Sequence, residues 1–137
     1  MEIKFVPEEY KESIKHVLNY CFSGVSGIGE SFVNETYTYE NCLGCFDEDK
    51  LVGLLYIYPY DMHFYGNTVP MGGIGVVSTL PEYRYYRCAS NMLIKSVEIM
   101  KDRGYAFSAL APFSYAFYRK YGWELGFNSK RNIIPVN

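Results

Sequence analysis

A chain of 137 residues with 13 Lys and Arg against 15 Asp and Glu, net −2, has one domain's length and lacks the basic field that nucleic-acid backbones demand. Its 49% hydrophobic content, spread along the whole chain, is that of an ordinary globular core and excludes disorder and collagen-like structure. No run of about 18 apolar residues occurs, and Met1-Glu2-Ile3-Lys4-Phe5 opens no signal-peptide pattern, so the expectation is a cytoplasmic protein with no membrane partner.

In chain order, Ile3 and Phe5 alternate with polar neighbours as a strand does. Pro7 stands at a good first-turn position for a helix from Glu8 to Leu18. Tyr10, Ile14, Val17, Leu18 and Cys21 recur at three and four, which gives that helix one buried face. Ser23 to Glu30, with its glycines, breaks it, and Ser31 to Glu40 reads ambiguously between loop and a second short helix. Asn41 to Phe46 and Lys50 to Tyr58 read as strands joined by Asp47-Glu48-Asp49. Met62 to Tyr65 and Val69 onward read as two more around Gly66-Asn67, an antiparallel meander. Gly72 to Thr79 is a glycine-containing apolar strand that ends before Pro81. Cys88 to Arg103 carries Ala89, Met92, Leu93, Ser96, Val97 and Met100 at helical spacing, with Gly104 at the C-cap. Tyr105 to Leu110 is a further strand, Phe113 to Lys120 a short helix, and Trp123 to Val136 a terminal strand or hairpin. No repeat or linker interrupts residues 1–137, which read as one domain.

Four cysteines, Cys21, Cys42, Cys45 and Cys88, are expected as reduced thiols, since a chain of this size and apolar content does not need bridges. Cys42 and Cys45 have a CxxC spacing but no second pair and no nearby histidine. In a strand they point to opposite faces, so no metal site is expected. Gly72-Gly73-Ile74-Gly75 lacks P-loop spacing and precedes a strand, which favours backbone flexibility or close packing over phosphate binding. The rings are the outlier of the composition, with 15 Tyr, 9 Phe and 1 Trp. Tyr56, Tyr58, Tyr60, Phe64 and Tyr65 alternate as strand residues and suit either a substrate pocket or a face covered by another subunit, in which case a homo-oligomer follows.

The unit that carries chemistry is the strand, loop and helix from Val76 to Met100, because a loop feeding a helix N-terminus presents unpaired N–H groups and a positive dipole end that suit a pyrophosphate. Cys88 at that helix start, beside Arg87, is expected to be a thiol of lowered pKa, with plain packing as the alternative reading. The second unit is Leu110-Ala111-Pro112-Phe113-Ser114-Tyr115-Ala116-Phe117-Tyr118-Arg119-Lys120-Tyr121-Gly122-Trp123-Glu124.

Together these segments resemble the GNAT superfamily of acyl-CoA-dependent N-acyltransferases, and within it the Eis (enhanced intracellular survival) type found as the first domain of longer proteins. Val77-Ser78-Thr79-Leu80-Pro81-Glu82-Tyr83-Arg84-Tyr85-Tyr86-Arg87-Cys88-Ala89 roughly follows the family pattern V-x-T-x-P-x-[YH]-R-x-[RK]-G-x-[AG], and the second unit closely resembles P-F-x-x-x-F-Y-R-K-[FY]-G-[YW]-E. The resemblance implies an α/β GNAT fold, a mixed and mostly antiparallel sheet whose central parallel strands splay, with helices on both faces. It implies acetyl-CoA as co-substrate, a small-molecule amine as acceptor, and direct attack without a covalent enzyme intermediate. By the same resemblance Val77, Ser78 and Thr79 pair with the pantetheine amides through their backbone. Arg84, Tyr85, Tyr86, Arg87, Cys88, Ala89 and Ser90 line the pyrophosphate loop, and Tyr118 is the general acid to the departing thiolate.

The chain departs from the pattern at Arg87, where the family loop carries glycine. That leaves two readings. A helix-compatible backbone keeps the Arg87 N–H available and lets its guanidinium pair with phosphate. Alternatively, the side chain closes the site and leaves a non-catalytic ligand-binding or oligomerisation module. A third expectation is the isolated first domain of a longer enzyme. In longer Eis-type proteins the C-terminal carboxylate reaches the active site. Here the base is not legible, and Glu30, Glu35 and His63 are the candidates, each more often an ordinary surface group. A net charge of −2 fits a cationic acceptor such as an aminoglycoside or polyamine but carries no argument by itself.

Overall fold

Side chains alternate along β2 (Cys42–Asp47) and β3 (Lys50–Phe64), and in the computed structural model, which describes residues 1–127, 131 and 133–134, they feed two cores. Cys42, Phe46, Leu51, Leu54 and Tyr56 pack on one face of the sheet, under α1 (Lys11–Cys21) and α2 (Ile28–Glu35), together with Ile14, Val17, Leu18 and Phe32. Leu43, Cys45, Val52, Leu55 and Ile57 pack on the other, under α3 (Cys88–Asp102) and α4 (Tyr115–Arg119), with Met92, Leu93, Met100 and Tyr118. Cys42 and Cys45 therefore face opposite sides, and all four cysteines are free thiols.

The sheet runs β1 (Glu2–Phe5), β2, β3, β4 (Asn67–Thr79) and β5 (Phe107–Leu110) in sequence order. The first four strands pair antiparallel and the last pair is parallel, Met71 to Ile74 against Phe107 to Leu110. This is the mixed, mostly antiparallel sheet with helices on both faces that the sequence leads one to expect, with one correction: among the described residues the parallel pair lies at the sheet edge, not at its centre. A second correction concerns the meander. The separate strand expected at Met62 to Tyr65 is the continuation of β3, which stays paired to β4 from Gly53 to Phe64. The expected strand ended at Tyr58, just before Pro59, but β2 stops pairing at Tyr56, so Pro59 lies where β3 has an open side and needs no N–H there.

The ambiguous Ser31 to Glu40 segment resolves into α2, which begins three residues earlier than expected, behind a left-handed Gly27 (φ 70°). A glycine is also required at Gly29, where a Cβ would come within 2.7 Å of the Lys15 backbone, so α1 and α2 cross at van der Waals contact of their chains. The glycines of β4 serve packing, as expected: the Tyr58 ring lies over Gly75 and the Tyr60 ring over Gly73, each too close to admit a Cβ. The terminal strand expected from Trp123 to Val136 does not form over residues 123–127, and most of its remainder lies outside the described residues.

Candidate active site

The β4–β5 ladder ends at Ile74, but β4 runs five residues further, to Thr79, without a strand beside it on that edge among the described residues. The departure coincides with a bulge. Gly75 opposes Tyr56 and Ser78 opposes Leu54, so Val76 and Val77 together face Leu55. Val76 takes φ 49°, a left-handed conformation that a β-branched residue adopts only under constraint from its surroundings. A bulge bends its strand, and this one follows directly on the last parallel pair, which is where β4 and β5 must part. The resemblance expects the two strands to splay at this point, where β5 itself ends at Leu110.

Beyond Thr79 the chain makes a 3-10 turn, Pro81–Tyr86, and enters α3 through Arg87. The first intrahelical bond at this end runs from Asn91 N–H to Arg87 C=O, which leaves the N–H groups of Cys88, Ala89 and Ser90 without helical partners. Val77, Ser78, Thr79, Arg84, Arg87, Ala89 and Ser90 share the wall of a cleft of about 580 Å³. Its charged lining is cationic, Arg84 and Arg87, and no carboxylate lines it among the described residues. Helix N–H groups, two guanidinium groups and an open strand edge make a donor-rich cradle that matches a pyrophosphate with an amide-bearing tail. Thr79 Oγ1 is buried in this wall with no hydrogen-bond partner among the described residues.

Arg87 stands in the left-handed region, φ 59° and ψ 23°. The helical backbone expected for it is therefore corrected: arginine adopts the conformation that suits glycine, and the loop keeps its shape at the cost of local strain. The side chains of three of the expected loop residues point away from the cleft. Tyr85 is 95% exposed and Tyr86 58% exposed, and neither lines the cleft. Cys88 is buried on the core side of α3, its thiol directed at Tyr83 C=O, 3.8 Å away. The reactive thiol expected there is thus corrected, because the first turn of an amphipathic helix turns this position inward. For Tyr85, Tyr86 and Cys88 only the backbone remains available to a ligand. The sequence did not single out Cys21 and Phe22 from the end of α1, or Phe113 and Phe117, which complete the cleft. Phe113 and Phe117 were legible as the two phenylalanines of the quoted motif, whereas Cys21 and Phe22 carried no signal beyond the helical stripe.

Tyr118 lines a second, adjacent cleft of about 690 Å³, shared with Tyr58, Tyr60, Gly73, Ile74, Leu110 and Trp123. The helix α4 is the wall between the two, Phe117 facing the first cleft and Tyr118 the second, while β4 contributes Met71, Gly73 and Ile74 to one and Val77 to Thr79 to the other. Ser114 caps α4 by accepting from Phe117 N–H at 3.4 Å. Tyr118 is 4% exposed, with Phe113, Phe117 and Trp123 edge-on to its ring, and burial pushes its phenol up from the usual value. It is thus held protonated. Tyr58 stacks on Tyr60 at 5.8 Å and stands edge-on to Tyr56 at 4.8 Å, a ring ladder that opens onto this second cleft. Phe64 and Tyr65 sit apart, beside Phe107 at the hairpin end. The charged groups of the second cleft, Arg119 and Glu124, are paired with each other at 2.9 Å. Glu30, Glu35 and His63 line neither cleft, and Glu30 is engaged by Asn19 Nδ2 at 3.2 Å. Among the described residues no group of three or more His, Cys, Asp or Glu could hold a metal, and no helix is long and apolar enough to cross a membrane.

A family model described as "Acetyltransferase (GNAT) domain" matches residues 2–126. No curated protein matches the chain. Among solved structures, a probable N-acyltransferase from Enterococcus faecalis superposes with a TM-score of 0.77 at 28% identity, covering 88% of this chain and 31% of its own. A GCN5-related N-acetyltransferase from Anabaena variabilis gives 0.78 at 28%, covering 87% and 30%. Eis1 from Mycobacterium abscessus gives 0.77 at 18%, covering 88% and 31%, and shows likeness of fold alone. The chain spans about a third of the length of these three structures.

Proposed function

The chain belongs to the GNAT acetyltransferase domain family, whose members use acetyl-CoA as co-substrate, and from that premise we propose that it is an acyltransferase moving an acetyl group onto the primary amine of a small molecule. Residues 1–137 act as one such domain, of the kind that begins Eis-type enzymes. The observation that carries the reading is the pair of clefts meeting at the β4–β5 splay, one lined with anion donors and the other holding a buried tyrosine.

In this reading the N–H groups of Cys88, Ala89 and Ser90 and the guanidinium groups of Arg84 and Arg87 hold the pyrophosphate. The open edge of Val77 to Thr79 pairs with the pantetheine amides. When bound, acetyl-CoA supplies the thioester carbonyl that the neutral amine attacks. A backbone N–H of the Val77 to Thr79 segment faces the developing oxyanion. The amine enters from the second cleft along Tyr58, Tyr60 and Trp123. Tyr118 gives its phenolic proton to the sulfur as the C–S bond breaks, and water carries away the proton lost by the amine. Burial raises the Tyr118 phenol, so it is protonated through the physiological range but a weaker acid than an ordinary phenol, and its donor role rests on position more than on acidity. The glycine-like backbone angles of Arg87 support an open loop.

The test is release of free CoA thiol from acetyl-CoA across a panel of aliphatic and aromatic amines, with Tyr118→Phe as control. The reading expects amine-dependent release that falls about 100-fold in the variant while acetyl-CoA binding stays within threefold. Absence of release with every amine would leave only a binding module.

A further inference from the structure

The two clefts are joined by one hydrogen-bonded path outside the reacting groups. Tyr121, three residues after Tyr118, lies just past α4, and its hydroxyl donates to Ser90 Oγ at 2.5 Å. Ser90 stands in the first turn of α3 and lines the anion-binding cleft. Tyr121 N–H in turn donates to Tyr118 C=O at 3.0 Å, and the same carbonyl accepts from Trp123 N–H at 3.4 Å. Trp123 is anchored separately, its Nε1–H donating to Ser108 Oγ on β5 at 3.1 Å. The backbone of Tyr118 is therefore tied on one side to α3 through Tyr121 and Ser90, and on the other to β5 through Trp123 and Ser108. The Tyr121 ring packs edge-on to Phe117 at 5.5 Å, in the second core. Removing only the hydroxyl breaks the tie and leaves the packing.

We propose that Tyr121 is a positioning residue: through its bond to Ser90 it sets the distance between Tyr118 and the loop that grips the acetyl-CoA phosphates. The inference rests on the proposed acetyl-CoA site. The two ends of a bound acetyl-CoA are held by different elements, its phosphates by the start of α3 and its sulfur by whatever stands beside it at the splay. A general acid on α4 meets that sulfur only if α3 and α4 keep a fixed offset. Among the described residues no other side-chain hydrogen bond joins α3 to the segment 113–124 that carries α4. A misplacement near 1 Å at a reacting atom costs up to about 100-fold in rate, so a single tether is enough to be felt in kcat.

The experiment compares Tyr121→Phe, Ser90→Ala and the double variant with wild type in three measurements: kcat, the dissociation constant for CoA by calorimetry, and amide hydrogen exchange of residues 115–121 with and without CoA. The proposal expects kcat to fall five- to twentyfold in each single variant and no further in the double, because both substitutions remove one bond. It expects the CoA affinity to stay within threefold. It also expects CoA to slow exchange in 115–121 of the wild type but not of Tyr121→Phe. Unchanged kcat in both single variants, or equal slowing of exchange in wild type and Tyr121→Phe, overturns it. Failure of the wild type to bind CoA would overturn the acetyl-CoA reading itself, and the positioning role with it, and is told apart by that titration alone.

Discussion

Replacing Arg87 with glycine should strengthen the fold and weaken the ligand, two effects of opposite sign from one substitution. Arg87 holds φ 59° and ψ 23° at the entry to α3, and its side chain makes no capping hydrogen bond. A left-handed backbone costs an L-residue about 1–2 kcal/mol, and glycine removes that cost while adding about 0.4–1 kcal/mol of unfolded-state entropy. The net expectation is a gain of about 0.5–1 kcal/mol, read as a rise of about 2–5 °C in Tm for a chain of this length. On the ligand side, a hydrogen bond to a charged group contributes about 1.5–3 kcal/mol. Arg87 is exposed, so solvent screening brings that to about 0.5–1.5 kcal/mol. Acetyl-CoA affinity should therefore fall roughly two- to tenfold, and less so at high salt. Calorimetric titration and thermal unfolding of wild type, Arg87→Gly and Arg87→Ala separate the two effects. Alanine loses the charge but keeps the strained Cβ, so it should match glycine in affinity and wild type in stability. Tighter binding by Arg87→Gly would refute the argument and show that the arginine obstructs the cleft.

Three further outcomes follow from the packing. Thr79→Val exchanges an orphaned, buried hydroxyl for a methyl group of the same shape and should raise stability by about 1 kcal/mol, measured by urea unfolding; a loss of that size would mean the hydroxyl has a partner. Gly29→Ala puts a Cβ 2.7 Å from the Lys15 backbone and should lower stability by about 1–3 kcal/mol, despite alanine's better helix propensity, with an unchanged urea midpoint as the contrary result. Burial raises the Tyr37 phenol and the Cys42 thiol to about 12, above ordinary values of 10.0 and 9.0. The unfolded chain therefore loses these protons first as pH rises. Their contribution to stability is intact below pH 9 and should be lost between pH 9 and 12, seen as a falling urea midpoint over that range. A flat profile to pH 11 would contradict the burial of both groups.

Helices were the most legible part of the sequence because their period is local: the apolar stripe from Tyr10 to Cys21 and the run from Cys88 to Met100 both became helices within a turn of their expected ends. The strands were legible as apolar runs but not in their lengths. Pro59 looks like a break until it is known that β2 ends at Tyr56 and leaves that side of β3 open. The bulge at Val76 was invisible for a stronger reason, since a β-branched residue with positive φ runs against its own preference and is set by tertiary packing. At the site, the motif placed the loop and Tyr118 in sequence, and the resemblance marked Arg87 as standing where glycine is usual. It could not say that Tyr85 and Tyr86 point to solvent, that Cys88 turns into the core, or that α4 divides two clefts. Each of these depends on how an element is rotated about its own axis against its neighbours, and the bond from Tyr121 to Ser90 spans 31 residues of sequence.

The cradle at the start of α3 is the foundation of the functional reading, and titration of acetyl-CoA into the full chain by calorimetry tests it most directly. The account predicts one site of micromolar affinity, about −8 kcal/mol, weakening as salt rises. No heat at millimolar acetyl-CoA would contradict it, whatever the fold.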